Sequence, residues 1–491
     1  MDTVFNEIAI PTAAARSSDQ AEIKGSIPLP RPASRVYSSG GKAVVTNSEV
    51  TEGKVLCEGR IVLDIICKGT DDELFAFTAT SKFSHSIDCE GAKAGMIAHV
   101  TAQLLSIKLT LDGDSLTLDA AADMMCRVED HSKKTMLCKK DGSDTEVQCI
   151  RASYKKCELI GSSTTRLRED IVANDISTAV SANASAVIRD VQIMPDIARV
   201  DGILSLNALC KSKDGRFFRF QQNVPFTGDV PTEVDNCTDV AARAEVSDIK
   251  LNMMGDEYGL ATLEAALALE VMSFTPTELE LTVDAFSPET PFECVKRDLQ
   301  VLQYKETIEQ KAICRENITS VSDPKQFKEA VFIDARPFVS SATKGTDCII
   351  VDGIVFTTVL YMDPKGEIQS ACDELPFSFN IPTHYDNIEL DTSVVCTSAN
   401  VVGVSSDGIE LSCSMHVTAD IYELDDISIV EAVKATEKKE TKHGFIICFA
   451  AEGESTYDIA KRFNIKKSCL ISENESMQEN LHSGDRAIML V

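Results

Sequence analysis

Gly59-Arg-Ile-Val-Leu-Asp-Ile-Ile-Cys-Lys, Gly202-Ile-Leu-Ser-Leu-Asn-Ala-Leu-Cys-Lys and Gly353-Ile-Val-Phe-Thr-Thr-Val-Leu-Tyr-Met align without gaps, and each glycine follows an acid: Glu58, Asp201 or Asp352. The copies recur about every 145 residues, and an internal period of this kind takes precedence over local propensity. Counting two, four, six and eight residues on gives Ile61, Leu63, Ile65 and Cys67, then Leu204, Leu206, Ala208 and Cys210, then Val355, Thr357, Val359 and Tyr361. Period-two alternation predicts three strands, each with one face inward. Phe83, Phe226 and Phe377 each lie 24 residues beyond their glycine, and Ile87, Val230 and Ile381 follow four residues later.

Further on, each copy carries a turn signal between apolar runs, Asp112-Gly113, Met254-Gly255-Asp256 and Asp407-Gly408, where glycine supplies a hairpin's positive φ. A returning strand is expected after each turn. In the third copy Ile409, Leu411, Cys413, Met415, Val417, Ala419 and Ile421 share one face, with His416 on the other and facing solvent. The equivalent run Leu260 to Met272 is rich in Ala, Leu and Glu, a helical composition. Read with period two it groups Leu263, Ala265, Leu267, Leu269 and Val271, so the repeat favours strand.

The expected fold is mainly β: three tandem β-sandwich-like repeats over 1–150, 165–290 and 310–430, and a small βααβ domain over 444–491. A chain of 491 residues exceeds a single core. Asp323 to Val331 reads as a helical connector, and Glu431 to His443, charged and without aromatics, as a linker that does not extend the preceding strand.

Net charge is −29, from 48 basic and 77 acidic residues, which disfavours nucleic acid and anionic lipid as partners. The densest basic stretch, Arg127 to Arg168, is interleaved with acids and reads as a solvated loop face. Met1 to Ile10 shows no secretion leader and no window is apolar enough for a transmembrane segment, so a cytoplasmic location is expected. Seventeen cysteines, an odd number without a C-x-x-C pair, suit a reducing compartment. Cys126, Cys138, Cys149 and Cys157, with His131 among them, lack the tight knuckles of a structural zinc site, so no metal and no cofactor is expected. No G-x-S-x-G, H-E-x-x-H or G-x-x-x-x-G-K-[ST] motif occurs, and no enzyme and no catalytic residue is expected.

The repeated strand opening and its downstream Phe resemble the SPOCS domain of spore coat and sporulation proteins of endospore-forming bacteria. At the C-terminus, Gly453-Glu-Ser-Thr-Tyr-Asp-Ile-Ala-Lys-Arg-Phe463, then Leu470 and Asn474, then Leu481, Gly484 and Ala487, resemble the LysM motif. LysM domains bind N-acetylglucosamine polymers in a shallow groove, and the resemblance places Gly453, Glu454, Ser455, Thr456, Tyr457 and Asn474 there. Thr456 stands where the family has Leu, and Glu454 where it has Asp. SPOCS repeats followed by LysM resemble the layout of clostridial-type coat morphogenetic proteins that bind stage IV sporulation protein A. That layout implies a non-catalytic scaffold of spore coat assembly in the mother cell, at the forespore surface. It would dock the coat-basement ATPase through LysM and meet other coat proteins. The alternative is a peptidoglycan- or N-acetylglucosamine-binding protein anchored to cortex or cell wall.

Overall fold

A computed structural model describes residues 3–139, 143–232, 239–254, 259–321, 324–405, 408–437, 444–474 and 481–490. The chain is mainly β, as its alternation predicts. The first unit runs β1 (Val4–Ala9), β2 (Thr12–Pro28), β3 (Ala33–Thr51), β4 (Lys54–Gly69), β5 (Leu74–Asp88), β6 (Ile97–Asp112), β7 (Ser115–Asp130) and β8 (Lys133–Cys138). The second runs β9 (Glu146–Val172), β10 (Ile176–Met194), β11 (Ile197–Ser212), β12 (Phe217–Pro231), β13 (Val240–Met253) and β14 (Leu260–Phe286). The third runs β15 (Phe292–Ile318), β16 (Glu329–Lys344), β17 (Cys348–Met362), β18 (Ile368–Pro382), β19 (Ile388–Ser405) and β20 (Gly408–Ala435). A terminal segment adds β21 (Phe445–Phe449), α1 (Thr456–Phe463), α2 (Lys467–Glu473) and β22 (Arg486–Leu490).

Each unit packs one three-stranded antiparallel sheet on another: β3-β4-β5 on β2-β7-β6, β10-β11-β12 on β13-β14-β9, and β16-β17-β18 on β19-β20-β15. A single bridge, Val301 to Thr12, joins the third unit's sheet to the first's. The even positions after Gly59, Gly202 and Gly353 are buried in the three cores, because alternation sends them to the side that faces the second sheet.

The glycine-to-phenylalanine spacing is a cross-strand pair. Gly59 sits opposite Phe83, Gly202 opposite Phe226 and Gly353 opposite Phe377. Each ring folds over its glycine: a Cβ there would stand 2.4, 2.4 and 2.3 Å from the ring's Cζ. An equal spacing is therefore an equal hairpin, with the glycine kept bare for the ring.

Leu260 to Met272 lies in a strand, and its Leu263, Leu267, Leu269 and Val271 are fully buried. Long-range pairing with β9 and β13 overrides its helical composition. Gly113 has φ +59° in the turn between β6 and β7, as expected. Gly255, Asp256, Asp407 and Asp323 lie outside the described residues.

Several boundaries differ from expectation. β9 and β15 begin at Glu146 and Phe292, ahead of the starts at 165 and 310, and β20 runs on to Ala435, into the stretch read as a linker. Phe292 pairs with Ala435 and Cys294 with Val433, and Val430 is buried against Leu137 and Ala285. The outer halves of β9/β14 and β15/β20, with β1/β8, form three ribbons sharing a second core around Ile10, Tyr154, Leu281 and Val301. Only neighbouring ribbons give these residues an inside, so their local sequence reads as polar. The expected helix before Val331 is a single 3-10 turn at Pro324–Gln326, and β16 starts at Glu329.

The basic stretch is not a solvated loop face. It spans the end of β7, all of β8 and most of β9, and its Arg127 and Lys134 are buried. Lys134 donates to the carbonyls of Ile10 and Asp130 at 3.2 and 2.8 Å, with the Asp130 carboxylate at 3.4 Å. Hydrogen-bond partners brought by the fold allow a charge to be buried that its local sequence marks as surface.

Candidate functional site

In the C-terminal module β21 and β22 pair antiparallel and the helices pack on them, burying Ile459, Ala460, Leu470, Ala487 and Met489. Ser455 caps α1: its hydroxyl accepts from the Asp458 N–H at 3.2 Å, and the Asp458 carboxylate accepts from the Ser455 N–H at 2.8 Å. This reciprocal box satisfies two free backbone donors at the helix start.

The six predicted groove residues do lie in this module, largely occupied with holding it together. Gly453 takes a turn φ of +79°. Glu454 accepts from the Ala451 N–H at 2.9 Å and pairs with Arg462 at 2.9 Å. Asn474 ends α2 and straps it to β22, donating to the Ile488 carbonyl at 2.6 Å and accepting from the Ile488 N–H at 2.9 Å. Thr456 is 1% exposed and Tyr457 4%.

Tyr457 is covered by the second unit. Its ring meets Phe286, at the end of β14, edge to face with centroids 5.3 Å apart. Lys461 bonds Asp284, Lys466 bonds Glu289 at 2.7 Å, and Asn464 donates to the Pro288 carbonyl at 3.3 Å. Burial pushes the Tyr457 phenol well above its usual range, and the Asp284 charge adds to this. The outer face of β21 stays open, with Phe445 and Phe449 each 64% exposed and Ile447 50%.

A second constellation lies where the three units meet. Ile66, Leu209 and Leu360, each seven residues after its repeat glycine, pack with Tyr37, Leu74 and Phe332 into one apolar cluster. Strand alternation points these positions away from the sandwich cores, and an apolar residue there in all three copies is the signal that sequence reading missed. Polar ties link the units, and three of them run round the ring. Lys42 of the first unit reaches Glu245 and, at 2.7 Å, the Val246 carbonyl of the second. Arg219 of the second reaches the Ala399 carbonyl of the third. Arg336 of the third reaches the Ser39 carbonyl of the first at 3.2 Å.

Two cavities of about 500 and 810 Å³ occupy the junction, each lined by all three units. His416 lines the larger, with its side chain 15% exposed and 3.6 Å from Glu309, so the expected solvent position is corrected. The polar face of β20 turns to the ring interior because the other units cover it. Beside this cavity Arg127 pairs with Glu129 at 3.1 Å and Asp391 at 2.6 Å, under the Tyr422 ring. Although burial opposes it, the His131 hydrogen bond and the Arg127 charge hold the Glu129 carboxyl below the usual carboxylate range. Among the described residues no three His, Cys, Asp or Glu side chains converge as a metal site.

Residues 32–112 match the family model described as SipL, SPOCS domain. This part of the chain is similar to the SPOCS domain. The match runs from the start of β3 to the end of β6 and contains the Gly59–Phe83 pair. The SPOCS domain associates the protein with sporulation. No curated protein and no solved structure matches the chain. Among the described residues no helix is long and apolar enough to cross a membrane.

Proposed function

We propose that this protein is a non-catalytic scaffold of spore coat assembly, acting in the mother cell at the forespore surface. In this reading all three units are SPOCS repeats and the C-terminal module is a LysM domain that docks a stage IV sporulation protein A-like basement ATPase. The observation that carries the reading is the SPOCS match over 32–112, taken with the strand order that the second and third units share with the first. Three sandwiches tied into a ring make a stiff body for presenting surfaces, and the small module is appended at one ribbon end.

A protein partner suits the module better than a glycan. Asn474 and Ser455 spend their polar atoms internally, and Thr456 and Tyr457 are covered, whereas a sugar needs open hydrogen-bonding groups and a bare apolar face. The test is a pull-down of purified stage IV sporulation protein A by the full chain and by a chain ending at 443. Loss of capture on truncation is expected; equal capture refutes docking through the module. Saturable binding of chitin oligomers by the full chain would support the glycan reading instead.

A further inference from the structure

The Lys42, Arg219 and Arg336 ties differ in one respect. Lys42 carries Glu245 as counter-charge and Arg336 has Asp334 at 3.2 Å. Arg219 has no carboxylate within ion-pair distance among the described residues. Its Nε donates to Asn207 Oδ1 at 2.7 Å, its Nη1 to the Ala399 carbonyl and to Asn400 Oδ1 at 3.3 Å, and its Nη2 has no partner among the described residues. Burial pushes this guanidinium down to about 10, opposed only by the Cys396 and Cys413 thiols, yet it stays charged at neutral pH. A half-buried cation lacking a counter-charge is costly, and of the carboxylates that line the same cavity, Asp64, Asp248 and Asp334, none lies within ion-pair distance of it.

On its own sheet Arg219 is flanked by neutral polar side chains, while Asp64, Asp248 and Asp334 line the cavity from other strands. β12 packs Phe218 and Phe220 against the unit core and turns Arg219 and Gln221 to the opposite face, which lines the 500 Å³ cavity. Register continues that face across the sheet, with Asn183, Asn207 and Gln221 in one row and Ser185 and Ser205 in the next. The side chains of Gln221, Ser185 and Ser205 make no hydrogen bond among the described residues. The positions equivalent to Asn207 and Gln221 are Asp64 and Thr78 in the first unit, and Thr358 and Cys372 in the third. The amide-rich plate is therefore peculiar to the unit whose arginine lacks a counter-charge.

We propose that the cavity beside Arg219 binds a small oxyanion, the carboxylate or phosphate group of a soluble molecule, held by Arg219 Nη2 with Gln221 and Ser205 as neutral donors. The ligand supplies the missing negative charge, and charge-assisted hydrogen bonds to it are the strong kind. The cavity volume admits a metabolite-sized molecule.

The test is calorimetric titration of the full chain with inorganic phosphate and, separately, with citrate, at constant ionic strength held by chloride. Saturable binding of one of them, with a rise in melting temperature, is expected, and the arm that saturates names the oxyanion. Gln221→Leu lies at the open side and touches no ring tie, so it should weaken binding about tenfold or more while the ligand-free melting temperature holds. Arg219→Gln should abolish binding; if it fails to fold, the Gln221→Leu result decides alone. No saturable binding of either anion at millimolar concentration overturns the proposal, and so does unchanged affinity in Gln221→Leu.

Discussion

Gly202→Ala probes the glycine-ring pair directly. The new Cβ would stand 2.4 Å from Phe226 Cζ and 2.6 Å from the carbonyl oxygen of Val187. Neither neighbour gives way freely: the ring is buried in the unit core, and Val187 belongs to β10, which pairs with β11 around Gly202. Overpacking of this kind costs about 1–3 kcal/mol. For a unit of some 145 residues that amounts to a melting temperature roughly 2–12 °C lower. Gly59→Ala and Gly353→Ala are internal replicates, with Val44 O at 2.6 Å and Phe338 O at 2.2 Å in the carbonyl's place. The assay is thermal unfolding by far-UV circular dichroism, with hydrogen exchange assigning the loss to the unit that carries the change. Phe226→Leu added to Gly202→Ala should restore only part of the loss, since it clears the ring and leaves the Val187 carbonyl. If all three glycine variants melt within about 1 °C of the parent, the close approach does not constrain the fold and the reasoning is wrong.

Leu209→Ala empties the fully buried centre of the three-unit cluster and should cost about 2–5 kcal/mol, read by urea unfolding and by faster proteolysis between units. Glu129 has a folded pKa below its unfolded value of 4.5, so the stability it contributes is present above that pH and is lost as pH falls through the folded value. The stability gap between parent and Glu129→Gln should accordingly shrink from pH 6 to pH 3, and a constant gap in urea midpoints would contradict the pairing with Arg127. Phe286→Ala removes the ring on which Tyr457 rests, and the edge-to-face pair contributes about 0.5–1.5 kcal/mol beyond its buried area. The variant should leave the three units' unfolding unchanged while raising hydrogen exchange in α1; unaltered exchange would show that the Lys461 and Lys466 ion pairs suffice to seat the module.

Much of the architecture is legible in the sequence. Alternation after Gly59, Gly202 and Gly353 identified the central strand of each unit, and the 24-residue offset marked its partner, because period and spacing are local properties of a strand and its hairpin. The β-α-α-β order of the C-terminal module followed from its capping signal and apolar spacing. Local pattern could not reveal what lies inside once the units close into a ring. Ile66, Leu209 and Leu360, Arg127, Lys134 and His416 sit at positions that a single strand assigns to its outer face, and they are covered because another unit or ribbon packs there. The same physics covers Tyr457, which an open groove would leave bare, with the Phe286 ring. Sequence alone determined which side of each strand is apolar and where it turns. Only tertiary structure decided which outer faces meet, because burial of those faces depends on residues more than a hundred positions away.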